Sequence, residues 1–121
     1  MDKKIMIVDD AMFMRKTIRN ALESAGYSSI VEAEDGETAI GIYQKEMPDL
    51  MLLDITMPGK SGIEVLEEIM RIHPEGKVVM CSAIGQEMMI QKAILAGAQE
   101  FIVKPFKKEE LQRIVKYCLG D

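Results

Sequence analysis

Short apolar runs alternate along this chain with longer stretches in which apolar residues recur every three or four positions. The runs are Ile5-Met6-Ile7-Val8, Ile30-Val31, Leu50-Met51-Leu52-Leu53, Val78-Val79-Met80-Cys81 and Phe101-Ile102-Val103. Most are apolar at consecutive positions, the pattern of a strand covered by helices on both faces. Ile30-Val31-Glu32-Ala33 is shorter and more mixed, as an edge strand would be. Between the runs lie five amphipathic stretches. The first, from about Met12 to Ala25, places Met14, Ile18, Ala21, Leu22 and Ala25 on one face, and Gly26 can end it in the left-handed conformation. The second carries Ala39, Ile40 and Tyr43 and stops before Pro48; the third carries Ile63, Leu66, Ile69 and Met70 and stops before Pro74. The fourth runs from near Gln86 to Ala96, and the fifth follows Pro105-Phe106 with Leu111, Val115 and Cys118. Five strands alternating with five helices predict an α/β fold: a single doubly wound, five-stranded parallel sheet with right-handed crossovers.

Composition narrows the class. The chain has 121 residues, the size of one ordinary domain, long enough to bury about two-thirds of its unfolded surface without disulfides or metals. Apolar residues make up 48% and charged residues 29%, which argues against disorder. A net charge of -5 disfavours a nucleic-acid binder, which would need a basic patch. No apolar run approaches a membrane span, and the Met1-Asp2-Lys3-Lys4 start precedes too short an apolar segment for a signal peptide. Cys81 and Cys118 make no disulfide framework and read as buried free thiols, so a cytoplasmic location is expected. Of the eleven methionines, Met6, Met51 and Met80 read as core filling. The fourth helix is apolar at 88, 89, 90, 93, 94 and 95, more than one face needs, so some of these side chains should face solvent or a partner.

In open parallel sheets ligands bind beyond the carboxyl ends of the strands. The first strand ends in Asp9-Asp10, the third in Asp54, the fourth in Ser82-Ala83 and the fifth in Lys104-Pro105. Each has a bland reading alone: helix caps for the aspartates, a turn hydroxyl for Ser82, a solvated charge for Lys104. Together they would place three carboxylates, a hydroxyl and an ammonium in one small site. Clustered carboxylates repel and call for a cation, and Mg²⁺ prefers a few carboxylates, carbonyls and retained waters. With the charge so balanced, one carboxylate can act as a nucleophile toward phosphorus, and Lys104 can neutralise phosphoryl oxygens. His73 is the only histidine and reads as a surface residue late in the third helix, so no Ser-His-Asp set is available. There is no Cys/His zinc spacing and no Gly-rich phosphate loop.

The segments Ile7-Val8-Asp9-Asp10, Asp54-Ile55-Thr56-Met57-Pro58 followed by Gly62, Cys81-Ser82-Ala83 and Phe101-Ile102-Val103-Lys104-Pro105-Phe106 resemble the response-regulator receiver domains of two-component signalling, nearest to their stand-alone chemotaxis branch of CheY type. The resemblance covers essentially the whole chain, so residues 1–121 are expected to form one receiver domain of flavodoxin-like topology. Because the fold pattern ends at Leu119, no output domain is expected. The resemblance implies that Asp54 accepts a phosphoryl group from a sensor histidine kinase. It implies that Asp10, Asp54 and the backbone carbonyl of Thr56 hold Mg²⁺ (Mn²⁺ could replace it), with Asp9 acting through water. Lys104 then pairs with the phosphate, Ser82 turns inward to bond it, the Lys104-Pro105 peptide is cis, and Phe101 is the rotameric switch. Many relatives carry Tyr at that position; Phe101 lacks the hydroxyl.

These roles imply a switch and not a turnover enzyme: a protein that catalyses only its own phosphorylation and slow dephosphorylation. Thr56 and Ile84 flank the site, and neither is an acid or amide suited to orient an attacking water, so self-dephosphorylation is expected to be slow. The output surface is expected around Phe101, Ile90 and Ile114, on the fourth helix, fifth strand and fifth helix. The implied partners are the kinase and a downstream protein such as a flagellar motor switch or a phosphatase, engaged by a monomer without nucleic acid or membrane. A phosphorelay intermediate handing the phosphoryl group to a histidine protein is an alternative. An aspartyl-phosphate phosphatase is another, although such hydrolases usually place an acid where Thr56 stands. A flavin carrier would want a hydroxyl-rich loop in place of Asp9-Asp10-Ala11-Met12.

Overall fold

Side chains two apart on each central run point to the same face of a sheet, and here both faces are apolar. In the computed structural model, which describes residues 2–121, the runs form strands β1 (Lys4–Val8), β2 (Ser29–Ala33), β3 (Leu50–Asp54), β4 (Val78–Ala83) and β5 (Glu100–Lys104). The intervening helices are α1 (Met12–Ser24), α2 (Gly36–Glu46), α3 (Gly62–Ile72), α4 (Glu87–Leu95) and α5 (Lys108–Leu119). The strands are parallel in the order β2-β1-β3-β4-β5. Met6, Val8, Met51, Leu53, Val78 and Met80 point to one face, where Ala39 and Tyr43 of α2, Leu66 and Ile69 of α3 and Ala93 of α4 cover them. Ile5, Ile7, Leu50, Leu52, Val79 and Cys81 point to the other, under Ile18 and Leu22 of α1 and Leu111 and Val115 of α5. The three strand methionines are wholly buried, as are the thiols of Cys81 and Cys118. Burial pushes the Cys81 thiol up to about 12, which leaves it an inert core group.

Of the two expectations about edges, one holds in position but not in length, and the other needs correction. β2 does lie at an edge, but at five residues it is as long as β1, β3 and β5. Its polar member, Glu32, is held by two arginines of α1, Arg15 Nε at 3.0 Å and Arg19 Nε at 2.6 Å. The run Phe101-Ile102-Val103, read as a strand covered on both faces, forms the opposite edge, and only Ile102 of β5 is buried. His73 is no free surface residue either. It is half-buried at the end of α3, with Nδ1 2.9 Å from the Tyr43 hydroxyl.

The connections at the carboxyl edge of the sheet are tight. α3 starts with a capping box: Ser61 Oγ accepts the Glu64 N–H, and the Glu64 carboxylate accepts the Ser61 N–H. A Cβ on Gly62 would collide with the Asp54 carbonyl oxygen and the Ile55 Cα, so only glycine lets α3 start this close to the end of β3. Among the described residues, no helix is long and apolar enough to cross a membrane.

Candidate functional site

Strand order brings the predicted residues to one rim. β1 and β3 are neighbours, as are β3 and β4, and in that register Asp54 sits beside Cys81, one residue before Ser82. Asp9, Asp10 and Asp54 each offer a carboxylate oxygen, and these oxygens lie within 4.8 Å of one another. Asp9 and Asp54 are buried, and Asp10 is exposed at the mouth. Neither Asp9 nor Asp10 caps α1: its first turn has no side-chain cap at all, and Asp9 Oδ1 instead accepts the N–H of Ala11, just before the helix, at 2.9 Å. Neither carboxylate therefore serves as a helix cap.

Lys104 reaches the site from the end of β5. Its Nζ donates to Asp9 Oδ2 at 2.8 Å and lies 3.3 Å from Asp54 Oδ1, so it is not the solvated charge it could have been. The Lys104-Pro105 peptide is cis. Burial raises the Asp54 carboxyl above the ordinary carboxylate range; the Lys104 charge opposes this and the Asp9 charge adds to it. Desolvation pulls Lys104 down, but its bond to Asp9 and the negative charges of Asp54 and Asp9 outweigh it, and the net direction is up. One ammonium therefore pairs with two of the three clustered carboxylates.

Ser82 is fully buried, and its Oγ has no hydrogen-bond partner. Leaving a buried hydroxyl unpaired is costly, and an oxygen-rich group on Asp54 would supply the missing partner. Excess carboxylate charge with an unpaired hydroxyl fits a hard divalent cation together with a phosphoryl group. Asp9, Asp10 and Asp54 can hold such an ion.

Thr56 is exposed beside the site, with its N–H 3.4 Å from Asp54 Oδ1. Its hydroxyl accepts a bond from Gln86 Nε2 at 2.6 Å, and Gln86 Oε1 accepts the Ala83 N–H at 2.6 Å. Sequence reasoning named Gln86 as the start of a helix and as the end of the family-like segment Ser82-Ala83-Ile84-Gly85-Gln86, and gave it no role at the site. It found no amide beside Asp54 because this one arrives from thirty residues further along the chain. Ile84 is 80% exposed.

The residues assigned to the output surface separate. Phe101 is 37% exposed and lines an apolar pocket of about 340 Å³ with Ile90, Ile84 and Val103. Ile114 does not join them: it packs, partly buried, against the core beneath α5. On α4, Met88 and Leu95 are largely exposed, as its excess of apolar positions required.

Comparison with known proteins agrees with this architecture. Residues 5–116 match the model of the response regulator receiver domain. The chain is 47% identical over 107 residues to the chemotaxis protein CheY of Thermotoga maritima, covering 88% of this chain and 89% of that protein. It is 45% identical over 117 residues to a Bacillus subtilis protein named CcdB, covering 97% and 98%. The crystal structure of the receiver domain of NtrX from Brucella abortus superposes with a TM-score of 0.92 at 34% identity, covering 97% and 98%. With one parallel five-stranded sheet, five helices and a family match across nearly its whole length, this chain belongs to the response-regulator receiver domains of two-component signalling.

Proposed function

We propose that this receiver domain is a phosphorylation-controlled switch. It accepts a phosphoryl group on Asp54 from the phosphohistidine of a sensor kinase, alters its binding surface in response, and serves in chemotaxis. The observation that carries the reading is the pairing of a buried carboxylate, Asp54, with an ammonium at 3.3 Å and a buried, unpartnered hydroxyl one residue along the neighbouring strand. Resemblance to chemotaxis proteins at 47% identity supports the pathway.

In the transfer, an oxygen of Asp54 attacks phosphorus. The bond from phosphorus to the donor imidazole nitrogen breaks, and its electron pair returns to the ring. Lys104, held by Asp9 at 2.8 Å, is placed to shift its charge onto the new phosphoryl oxygens. Ser82 Oγ can donate to one of them. A divalent cation, Mg²⁺ or Mn²⁺, held by Asp10, Asp54 and the Thr56 carbonyl with Asp9 acting through water, would supply the charge that lets the carboxylates coexist. Such a protein turns over no separate substrate; it catalyses only its own loading and slow unloading. Two free, buried thiols suit a cytoplasmic setting.

Incubation with acetyl phosphate and Mg²⁺ should add one phosphoryl group. Borohydride trapping followed by mass spectrometry should place it on Asp54, and Asp54→Asn should abolish it. A label on Ser82 in its place would overturn the mechanism.

A further inference from the structure

Two loops flank Asp54: the one after β3, which carries Thr56, and the one after β4, which carries Ala83. A single carboxamide joins them. Gln86 Oε1 accepts the Ala83 N–H at 2.6 Å, and Gln86 Nε2 donates to Thr56 Oγ1 at 2.6 Å. Gln86 is the N-cap residue of α4, yet its side chain makes no cap bond to that helix. Its polar atoms are spent on the bridge. Ala83 directly follows Ser82, whose buried hydroxyl has no partner in this state. The donors at the end of β4 are therefore divided: one backbone N–H is taken by Gln86, and one hydroxyl is left unpaired.

We infer that Gln86 is a positioning residue that latches the two loops together in the unphosphorylated protein, and that loading of Asp54 must release it. This rests on the phosphoacceptor reading above. A phosphoryl group on Asp54 introduces three acceptor oxygens beside Ser82 and the Ala83 N–H. One planar carboxamide spans from the Ala83 N–H to Thr56, so this N–H points toward the gap between the loops, at the surface of the molecule. If Ser82 shifts to bond the phosphoryl group, Ala83 moves with it and the Oε1 bond breaks. The latch therefore favours the unloaded state, and removing it should favour the loaded one. A ligand shifts an equilibrium only by its differential affinity for the two states. Both bonds lie near the surface, so the expected size is that of one net neutral hydrogen bond, about threefold to fivefold in affinity.

Beryllium fluoride, a mimic of the acyl phosphate, provides the test at saturating Mg²⁺. Gln86→Met keeps the bulk and removes both bonds. It is expected to lower the thermal midpoint of the metal-free protein and, in the opposite direction, to tighten mimic binding about threefold to fivefold. A residue that merely supported the fold would lower the midpoint and leave mimic affinity unchanged or weaker. Thr56→Val should tighten binding in the same direction, and the double variant should gain less than the sum of the two, because both changes cut one bridge. If the wild type binds the mimic and Gln86→Met binds it no tighter, the latch is wrong and the phosphoacceptor reading stands. If the wild type fails to bind it in the presence of Mg²⁺, both fall.

Discussion

Asp54 must be ionised to act as a nucleophile, yet it is 7% exposed and shares its surroundings with Asp9 and Asp10. Burial raises its pKa, the Lys104 charge opposes the rise, and Asp9 reinforces it. The raised value belongs to the folded state, so just above the ordinary carboxylate range the folded protein holds a proton that the unfolded chain has released. Stability therefore falls as pH rises through that window, and at neutral pH the ionised carboxylate is a cost. With metal chelated, Asp54→Asn should raise the thermal midpoint at neutral pH, and the gap should close as pH falls through the raised value. A variant midpoint at or below wild type at neutral pH would mean that attraction to Lys104 outweighs burial. At this scale most of the site was legible. Asp9, Asp10, Asp54, Ser82 and Lys104 all stand at strand ends, and a parallel sheet gathers strand ends on one rim. Gln86 was not legible, because its role depends on a side chain crossing between loops that are remote in sequence.

The elements show the same division between local and global information. Helices were readable because their spacing and stops are local, and Ser61-Gly62-Ile63-Glu64 already has the residue pattern of a capping box. That box secures the start of α3 immediately after the β3 loop. Ser61→Ala should destabilise the fold by about 1 kcal/mol in chemical denaturation, while leaving Asp54 able to be phosphorylated. No loss of stability would show that the bonds at 2.9 and 3.3 Å exchange evenly with water. Strand order was less legible, since an apolar run states how much a strand is covered only if its side chains face the core. Phe101 and Val103 are apolar but lie on an edge strand, where Phe101 lines a surface pocket. Ile114 erred in the other direction. It flanks the buried Leu111 and Val115 of α5 and packs, partly buried, against the same core cluster. Glu32 marked β2 as an edge correctly, and Arg15 and Arg19 give it a structural reason to be there. Burial raises its carboxyl, but the bonds to Arg19 and Arg15 outweigh that and hold it below the ordinary range.

Across the whole molecule, the carboxylate rim and the apolar pocket are joined through β4 and β5. Met80 pairs with Phe101, and Ser82 pairs with Val103, so a displacement of Ser82 acts directly on the strand that carries Phe101. Phe101 is 37% exposed in this state, so turning inward can still gain about a third of the roughly 2 to 3 kcal/mol that full burial of such a ring contributes. Cation binding is the first event to test at this scale. Relief of carboxylate crowding should make Mg²⁺ stabilise the unphosphorylated protein by about 2.7 kcal/mol at a hundred times its dissociation constant, and a flat midpoint across the titration would remove the metal from the account. The second event is output. A partner offering apolar anchors suits the pocket lined by Ile84, Ile90 and Phe101. Ile90→Asp should weaken such a partner in both phosphorylation states, because it spoils the surface itself. Ser82→Ala should weaken it only in the phosphorylated state, because it removes the link while still allowing Asp54 to be loaded. Coupling is reciprocal, so a partner that prefers the phosphorylated form must also tighten beryllium fluoride binding by the same factor. Calorimetry on the partner retained by the beryllium fluoride-loaded protein measures both sides of that cycle. Equal affinity for the loaded and unloaded wild type would show that phosphorylation does not reach this surface.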